Sequence, residues 1–195
     1  MPSPKNYNPE ELLDRAIELF RRQGYSATST AELVDELGVN RKSMYSEFGS
    51  KQGLFEAALK RYSEKNLSRV LAPIEAPDAN ARSIRDAFFG YAAAGEGHFR
   101  GLGCLMANTA VERAALDPGS ARFVDAYLER LTNGFRNALE NARADGDIGK
   151  EADLDDLAAF LAMSVVGISA LLRANATPEQ MHAASRGVVS VLEAA

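Results

Sequence analysis

Apolar residues recur at three-to-four spacing along nearly the whole chain. No stretch of useful length alternates apolar with polar residues, so the sequence predicts an all-α protein. The first stripe is Leu12, Leu13, Ala16, Ile17, Leu19 and Phe20. Asn8 is placed to cap that helix, Pro9 suits its first turn, Glu10 and Glu11 suit the positive end of its dipole, and Gly24 stops it. Residues 1–8 read as a flexible arm. Two short helices follow, over 30–37 and 41–47. Ser29 with Glu32 three residues on is a capping box. Gly38 supplies a left-handed stop, and Asn40 caps a second helix carrying Met44, Tyr45 and Phe48. Two short helices joined by a glycine-containing turn are the signature of a helix-turn-helix.

A longer helix begins at Lys51 and runs to about Val70, with Leu54, Phe55, Ala58, Leu59 and Tyr62 on one face. Pro73 and Pro77 break the pattern, so 72–79 is expected to be a loop. Five more helices are predicted, over 80–96, 103–115, 119–144, 153–174 and 178–193, which makes about nine. The expected boundary lies inside the long helix near residue 62. It separates an N-terminal three-helix unit, residues 1–62, from an all-helical unit, residues 63–195.

The helix over 153–174 is apolar or small on nearly every side, and such a helix must be covered all round. A second subunit is the economical cover. Ser164, Gly167 and Ala170 would admit a close neighbour, and Phe160, Ile168 and Leu171 would add apolar area. Met181, Ala184, Val188 and Val191 of the last helix complete the expected dimer interface.

The run from Leu157 to Leu172 falls short of the roughly 20 residues that span a bilayer, and MPSPKNYNPE has no apolar core segment, so neither membrane nor leader peptide is expected. The chain has one cysteine, which excludes an internal disulfide framework and fits a reducing cytoplasm. His98 and His182 are far apart, and no Cys, His and carboxylate cluster has metal-ligand spacing. No phosphate loop, dinucleotide motif or nucleophile elbow is present, so no metal, no cofactor and no enzymatic activity are expected.

The net charge of −5 sits awkwardly with a nucleic-acid partner. Residues 1–62 are balanced, with nine Lys and Arg against nine Asp and Glu, whereas residues 63–195 carry thirteen against eighteen. Arg41, Lys42 and Lys51 lie within eleven residues at the helix-turn-helix, and phosphate neutralisation is local.

From Glu11 to Tyr62 the chain resembles the DNA-binding domain of the TetR (tetracycline-repressor) family of bacterial transcription regulators. The correspondences are the helix from Leu12 to Phe20, Gly24-Tyr25, Thr28-Ser29, Gly38-Val39, Met44-Tyr45 with Phe48, and Ser50-Lys51 with Leu54-Phe55. The resemblance implies a homodimer on double-stranded operator DNA, most simply a repressor released by a small-molecule effector. It implies DNA contacts from Thr28, Ser29, Thr30, Asn40, Arg41, Lys42, Ser43, Tyr45, Ser46 and Lys51. Arg and Lys bond guanine edges or phosphate, and hydroxyls bond phosphate. Glu47 stands where family members often have Tyr or His, and no phosphate contact is assigned to it. Lys51 begins a helix, where a cation opposes the dipole by a few tenths of a kcal/mol, and a nearby phosphate would reverse that sign.

The resemblance also implies an effector site among the C-terminal helices. Phe88, Tyr91, Phe99, Met106, Asn108, Thr109, Tyr127, Leu131 and Met163 are its candidates, an apolar set with a few polar groups that suits a modest, mainly apolar ligand. Cys104 lies beside Gly101 and Gly103 at the expected start of a helix, where a lowered thiol pKa would permit a redox switch. An enzyme in the C-terminal bundle and a protein-binding helix-turn-helix are the remaining readings. The absence of a catalytic constellation disfavours the first, and the Arg41, Lys42, Lys51 cluster disfavours the second.

Overall fold

The structure is a computed structural model that describes residues 8–97 and 99–194. The expected arm lies outside it except for Asn8, and so does His98. All regular structure among the described residues is helical. The elements are α1 (Pro9–Gln23), α2 (Thr30–Leu37), α3 (Arg41–Phe48), α4 (Lys51–Arg61), a π-helical segment (Tyr62–Leu67), α5 (Ser68–Glu75), α6 (Ala81–Ala94), α7 (Leu105–Glu112), α8 (Pro118–Asp145), α9 (Leu154–Arg173), α10 (Pro178–Val189) and α11 (Val191–Ala194). α4, the π segment and α5 run on from one another, as α10 and α11 nearly do, so the described chain makes nine rods.

The long rod does not end before Pro73. Ser68 donates its amide to the Ser63 carbonyl five residues back, which absorbs an extra residue without breaking the helix. Pro73 then sits inside α5. The carbonyl it leaves without a helical donor belongs to exposed Arg69, and the rod continues to Glu75. The loop is therefore 76–80, shorter than the proline pair suggests. α8 anchors it: the Asn137 amide donates to the Ala76 carbonyl, and the Asn141 amide donates to the carbonyls of Pro77 and Ala79. Helix α7 is likewise shorter than expected, because Arg113 leaves helical geometry after Glu112.

The core is one continuous apolar cluster from Leu12 to Leu192. At its N-terminal end Phe20 of α1 meets Phe55 of α4 edge-on, with ring centroids 4.8 Å apart. Leu33, Leu37 and Met44 plug the same space from α2 and α3. At the other end Phe88 of α6 stacks on Phe135 of α8 at 5.8 Å. Burying each such ring contributes about 1.5–3 kcal/mol.

Helix α9 is 20 residues, long and apolar enough by length and composition to cross a membrane, which revises the shorter run read from the sequence. Ala158, Leu161, Val165, Ile168 and Leu172 face the core, where α9 packs along α8. Phe160, Met163 and Leu171 remain exposed on the opposite side, Met163 at 64 %. Two residues expected at a dimer interface are turned inward instead. Ile168 and Met181 are 3 % and 0 % exposed and fill the chain's own core. Helix α9 is apolar all round and carries no phase information for Ile168, whereas Met181 lies on α10, on the face it turns to the core with Ser185 and Val189.

An ion-pair staple joins α1 to the rod. Arg61 donates from Nε and Nη2 to the two Asp14 oxygens at 2.7 and 2.9 Å, and Lys65 adds a third bond at 2.9 Å. The Arg61 guanidinium, with Lys65 behind it and burial opposing, lowers the Asp14 carboxyl from 3.8 to about 2. The lowered value means that its stabilisation is present above the ordinary carboxylate range and is lost as pH falls through about 2. The Asp14 side chain is 41 % exposed, so screening limits its contribution to about 0.5–1 kcal/mol. Asp14→Asn is expected to lower the melting temperature at pH 7 by a few degrees, with the deficit vanishing near pH 2. A deficit independent of pH would contradict this.

Candidate nucleic-acid interface

The helix-turn-helix forms through local caps. Ser29 Oγ accepts from the Glu32 amide at 3.1 Å while the Glu32 carboxylate accepts from the Ser29 amide at 2.7 Å. Gly38 ends α2 at φ +64°, and Asn40 Oδ1 accepts from the Ser43 amide at 2.8 Å to start α3. Met44 is the buried side chain of α3. Its position is therefore set at its ends. At the C-terminal end a Cβ on Gly53 would lie 2.0 Å from the Phe48 carbonyl, so only glycine lets the first turn of α4 approach α3 this closely.

This leaves a polar and cationic face. Ser29, Asn40, Arg41, Lys42 and Ser46 are exposed, and Thr30, Ser43, Tyr45 and Lys51 are half-buried. The Tyr45 hydroxyl lies 3.4 Å from Thr30 Oγ1 and accepts from Arg41 at 3.5 Å, with the guanidinium 5.4 Å from the ring centroid. Hydrogen bonding to Thr30, then to Arg41, holds the Tyr45 hydroxyl below its ordinary value. Side chains of α2 and α3 thus form one linked surface. Thr28 is not part of it. It is fully buried and donates to the Gly24 carbonyl at 2.6 Å, so it shapes the turn ahead of α2 rather than facing outward.

Lys51 Nζ sits 4.2 Å from the centroid of the Tyr25 ring, and the Arg113 guanidinium lies 4.0 Å from the same ring. Burial and then Arg113 lower the Lys51 pKa, against the pull of Glu112 and Glu32. Glu112 accepts from the amides of Tyr25 at 3.0 Å and Ser26 at 2.7 Å. Burial raises the Glu112 pKa, but the hydrogen bonds from Ser26 and Tyr25 outweigh it and the net shift is downward. Buried Arg21 donates to the Gly103 carbonyl at 2.9 and 2.6 Å, while Arg173 and Asn108 donate to the Arg21 carbonyl. Sequence reasoning missed Arg21, Glu112 and Arg113. Arg21 and Glu112 have partners 82 to 152 residues away, and Arg113 reaches Gln52, 61 residues away; no local pattern marks such pairings.

The nine expected effector residues do not converge on one cavity. Phe88, Met106, Thr109, Tyr127 and Leu131 are buried in the packed core, and the Thr109 hydroxyl donates within its own helix to Leu105. Phe99 is 48 % exposed over Arg21, and Asn108 braces the Leu102 carbonyl. Phe99, Asn108 and Met163 are thus removed from the buried set, with Tyr91 half-buried beside it. Clefts among the described residues lie beside this core instead. One of about 320 Å³ lies between α1, α7 and α9 and includes Asn108 and Glu112. Another, of about 380 Å³, lies between α7, α8 and α9 and is lined by Ala110, Leu128, Thr132, Ala159, Ala162, Met163 and Val166. Cys104 is buried, and its thiol lies 3.9 Å from the Tyr127 hydroxyl. Burial removes the access an oxidant requires, so this arrangement disfavours the redox reading.

Residues 12–58 match the family described as bacterial regulatory proteins, tetR family, and residues 79–188 match the tetracyclin repressor-like C-terminal domain. The HTH-type transcriptional regulator YezE of Bacillus subtilis is 31% identical over 91% of this chain and 92% of its own. The chain belongs to the TetR family. The HTH-type transcriptional repressor ComR of Escherichia coli is 30% identical over 91% of this chain and 85% of its own. A structure of the TetR-family regulator CifR on operator DNA superimposes with a TM-score of 0.84 at 23% identity, covering 96% of this chain and 98% of that one. Reduced NemR of Escherichia coli gives 0.77 at 21% identity, covering 92% and 93%. These two likenesses show a shared fold. The TetR-family chain is accordingly a DNA-binding transcriptional regulator with an N-terminal helix-turn-helix domain and a C-terminal helical domain.

Proposed function

We propose that this regulator is a cytoplasmic homodimeric repressor that a small, mainly apolar effector releases from operator DNA. Residues 1–62 form the DNA-binding head, and residues 63–195 form the effector-binding and dimerisation body. The observation that carries the reading is the exposed face of α3, where Arg41, Lys42 and Ser46 stand on a helix capped by Asn40 and seated by Met44. Ser29, Thr30, Ser43, Tyr45 and Lys51 complete the contact set, and Thr28 supports it from behind. The solved CifR complex with operator DNA supports a duplex partner, and the description of ComR as a repressor supports the sign.

The dimer face is the outward side of α9, with Phe160, Ser164, Gly167 and Leu171, and Ala184, Val188 and Val191 add to it. A Cβ on Gly167 would meet nothing within 4 Å, which leaves room for a second helix. The cleft of about 380 Å³ supports the effector class, since its lining is apolar apart from Thr132. Release is a population shift. An effector that prefers the state with misplaced heads, by on the order of 1–3 kcal/mol or more, depletes the DNA-competent state.

Duplexes selected by the purified protein from a random-sequence pool test this reading. The expected result is one inverted-repeat sequence bound in a salt-sensitive manner. Recovery of unrelated sequences in every round would refute it.

A further inference from the structure

We infer that Glu112 is a positioning residue for DNA binding: the carboxylate at the end of α7 clamps the turn that leads into the helix-turn-helix and so sets the head against the C-terminal helices. This rests on the DNA-binding reading and adds a joint to it.

The clamp has two halves. In the first, Glu112 uses one oxygen for the Tyr25 amide at 3.0 Å and the other for the Ser26 amide at 2.7 Å. Both bonds are charge-assisted, the stronger kind. Gly24 is needed for this approach on two counts. Its φ is +87°, and a Cβ there would lie 2.7 Å from Glu112 Oε2. The turn's other pole is closed by Thr28, whose hydroxyl donates to the Gly24 carbonyl, and Ser29 then caps α2. Donors and acceptor of the turn are thus satisfied from opposite sides, one of them by a residue from the other half of the chain.

In the second half, Arg113 and Lys51 share the Tyr25 ring at 4.0 and 4.2 Å. Arg113 also donates to Gln52 at 2.9 Å, and Gln52 donates to Asp117, the N-cap of α8, at 2.6 Å. The corner between α7 and α8 therefore holds the turn before α2 and the first turn of α4 together. Two cations around one ring repel each other, and Glu112 offsets them together with Glu32, which acts on Lys51, and Asp117, which pairs with Arg113 at 3.5 Å. A shift of α7 must carry the turn with it or break both amide bonds, and either outcome changes where α2, α3 and Lys51 stand. Glu112 also walls the cleft between α1, α7 and α9, so whatever enters that cleft meets the clamp.

The sign of the effect separates positioning from plain electrostatics. Removing a negative charge near a DNA-binding surface strengthens binding if only charge matters. The clamp predicts the reverse. In fluorescence anisotropy with the duplex selected by the wild-type protein, Glu112→Ala is expected to weaken binding by about tenfold or more, the scale of one lost charge-assisted hydrogen bond. Glu112→Gln keeps one acceptor and is expected to lose about threefold. Amide exchange at Tyr25 and Ser26 accelerates in both variants, while exchange in α8 and helix content are unchanged. If Glu112→Ala does not fold, the near-isosteric Gln variant decides by the same two readouts. Equal or tighter binding, or unchanged exchange at Tyr25 and Ser26, overturns the inference alone. A wild-type protein that selects no duplex overturns the DNA-binding reading together with it.

Discussion

Replacing Arg41, Lys42 and Lys51 together by Ala is expected to weaken binding to the selected duplex by at least about 100-fold at moderate salt and to reduce the slope of log K against log salt by about 2–3. The reasoning is one of scarcity. The protein carries a net charge of −5, and its first 62 residues are balanced, so no broad basic surface stands in reserve. Arg41 and Lys42 are exposed on the first turn of α3, and Lys51 opens the next helix, α4. A base-reading pair contributes about 1–3 kcal/mol, and each phosphate contact adds about one counterion to the salt slope. The three sites are surface or half-buried, so the fold is expected to tolerate the change. Retained affinity with an unaltered slope would move the interface away from α3.

The second large effect concerns assembly. Phe160→Glu with Leu171→Glu is expected to convert the dimer to a monomer of 21.0 kDa in sedimentation and to abolish binding to a two-half-site duplex. Both side chains are more than a third exposed in the single chain, at 36 % and 38 %, so charging them leaves the protomer intact. In a symmetric interface each substitution appears twice, and four carboxylates would be taken out of water at several kcal/mol each. The variant should keep wild-type helix content and a similar melting temperature. A sedimentation coefficient unchanged from wild type would place the interface elsewhere.

How far the sequence alone reaches depends on the range of each interaction. The helix-turn-helix was legible because its determinants act within three or four residues: Ser29 with Glu32, Gly38 in its left-handed turn, and Asn40 with Ser43. Pro73 shows a local rule giving way to tertiary packing. The rod passes through it because the carbonyl left without a donor belongs to exposed Arg69, and α8 then holds the loop beyond through Asn137 and Asn141. The assignment of Thr28 to the DNA surface failed on a rotamer, since the hydroxyl turns back to Gly24. Ile168 turned inward because α9 is apolar on both sides and only packing chooses which side is inside, and Met181 lies on the face that α10 buries against the core. Glu112 was out of reach altogether: its partners are 86 and 87 residues away, and nothing in its own neighbourhood distinguishes it from a solvated carboxylate.

Hydroxyl-radical footprinting of the selected duplex with the wild-type protein addresses the whole scheme at once, because it reads both the grip of α3 and the distance between two such helices. Two protected patches centred about 34–36 Å apart on one face of the helix are predicted. A single isolated patch, or uniform cleavage at saturating protein, would contradict a pair of heads held at operator spacing by the body behind them.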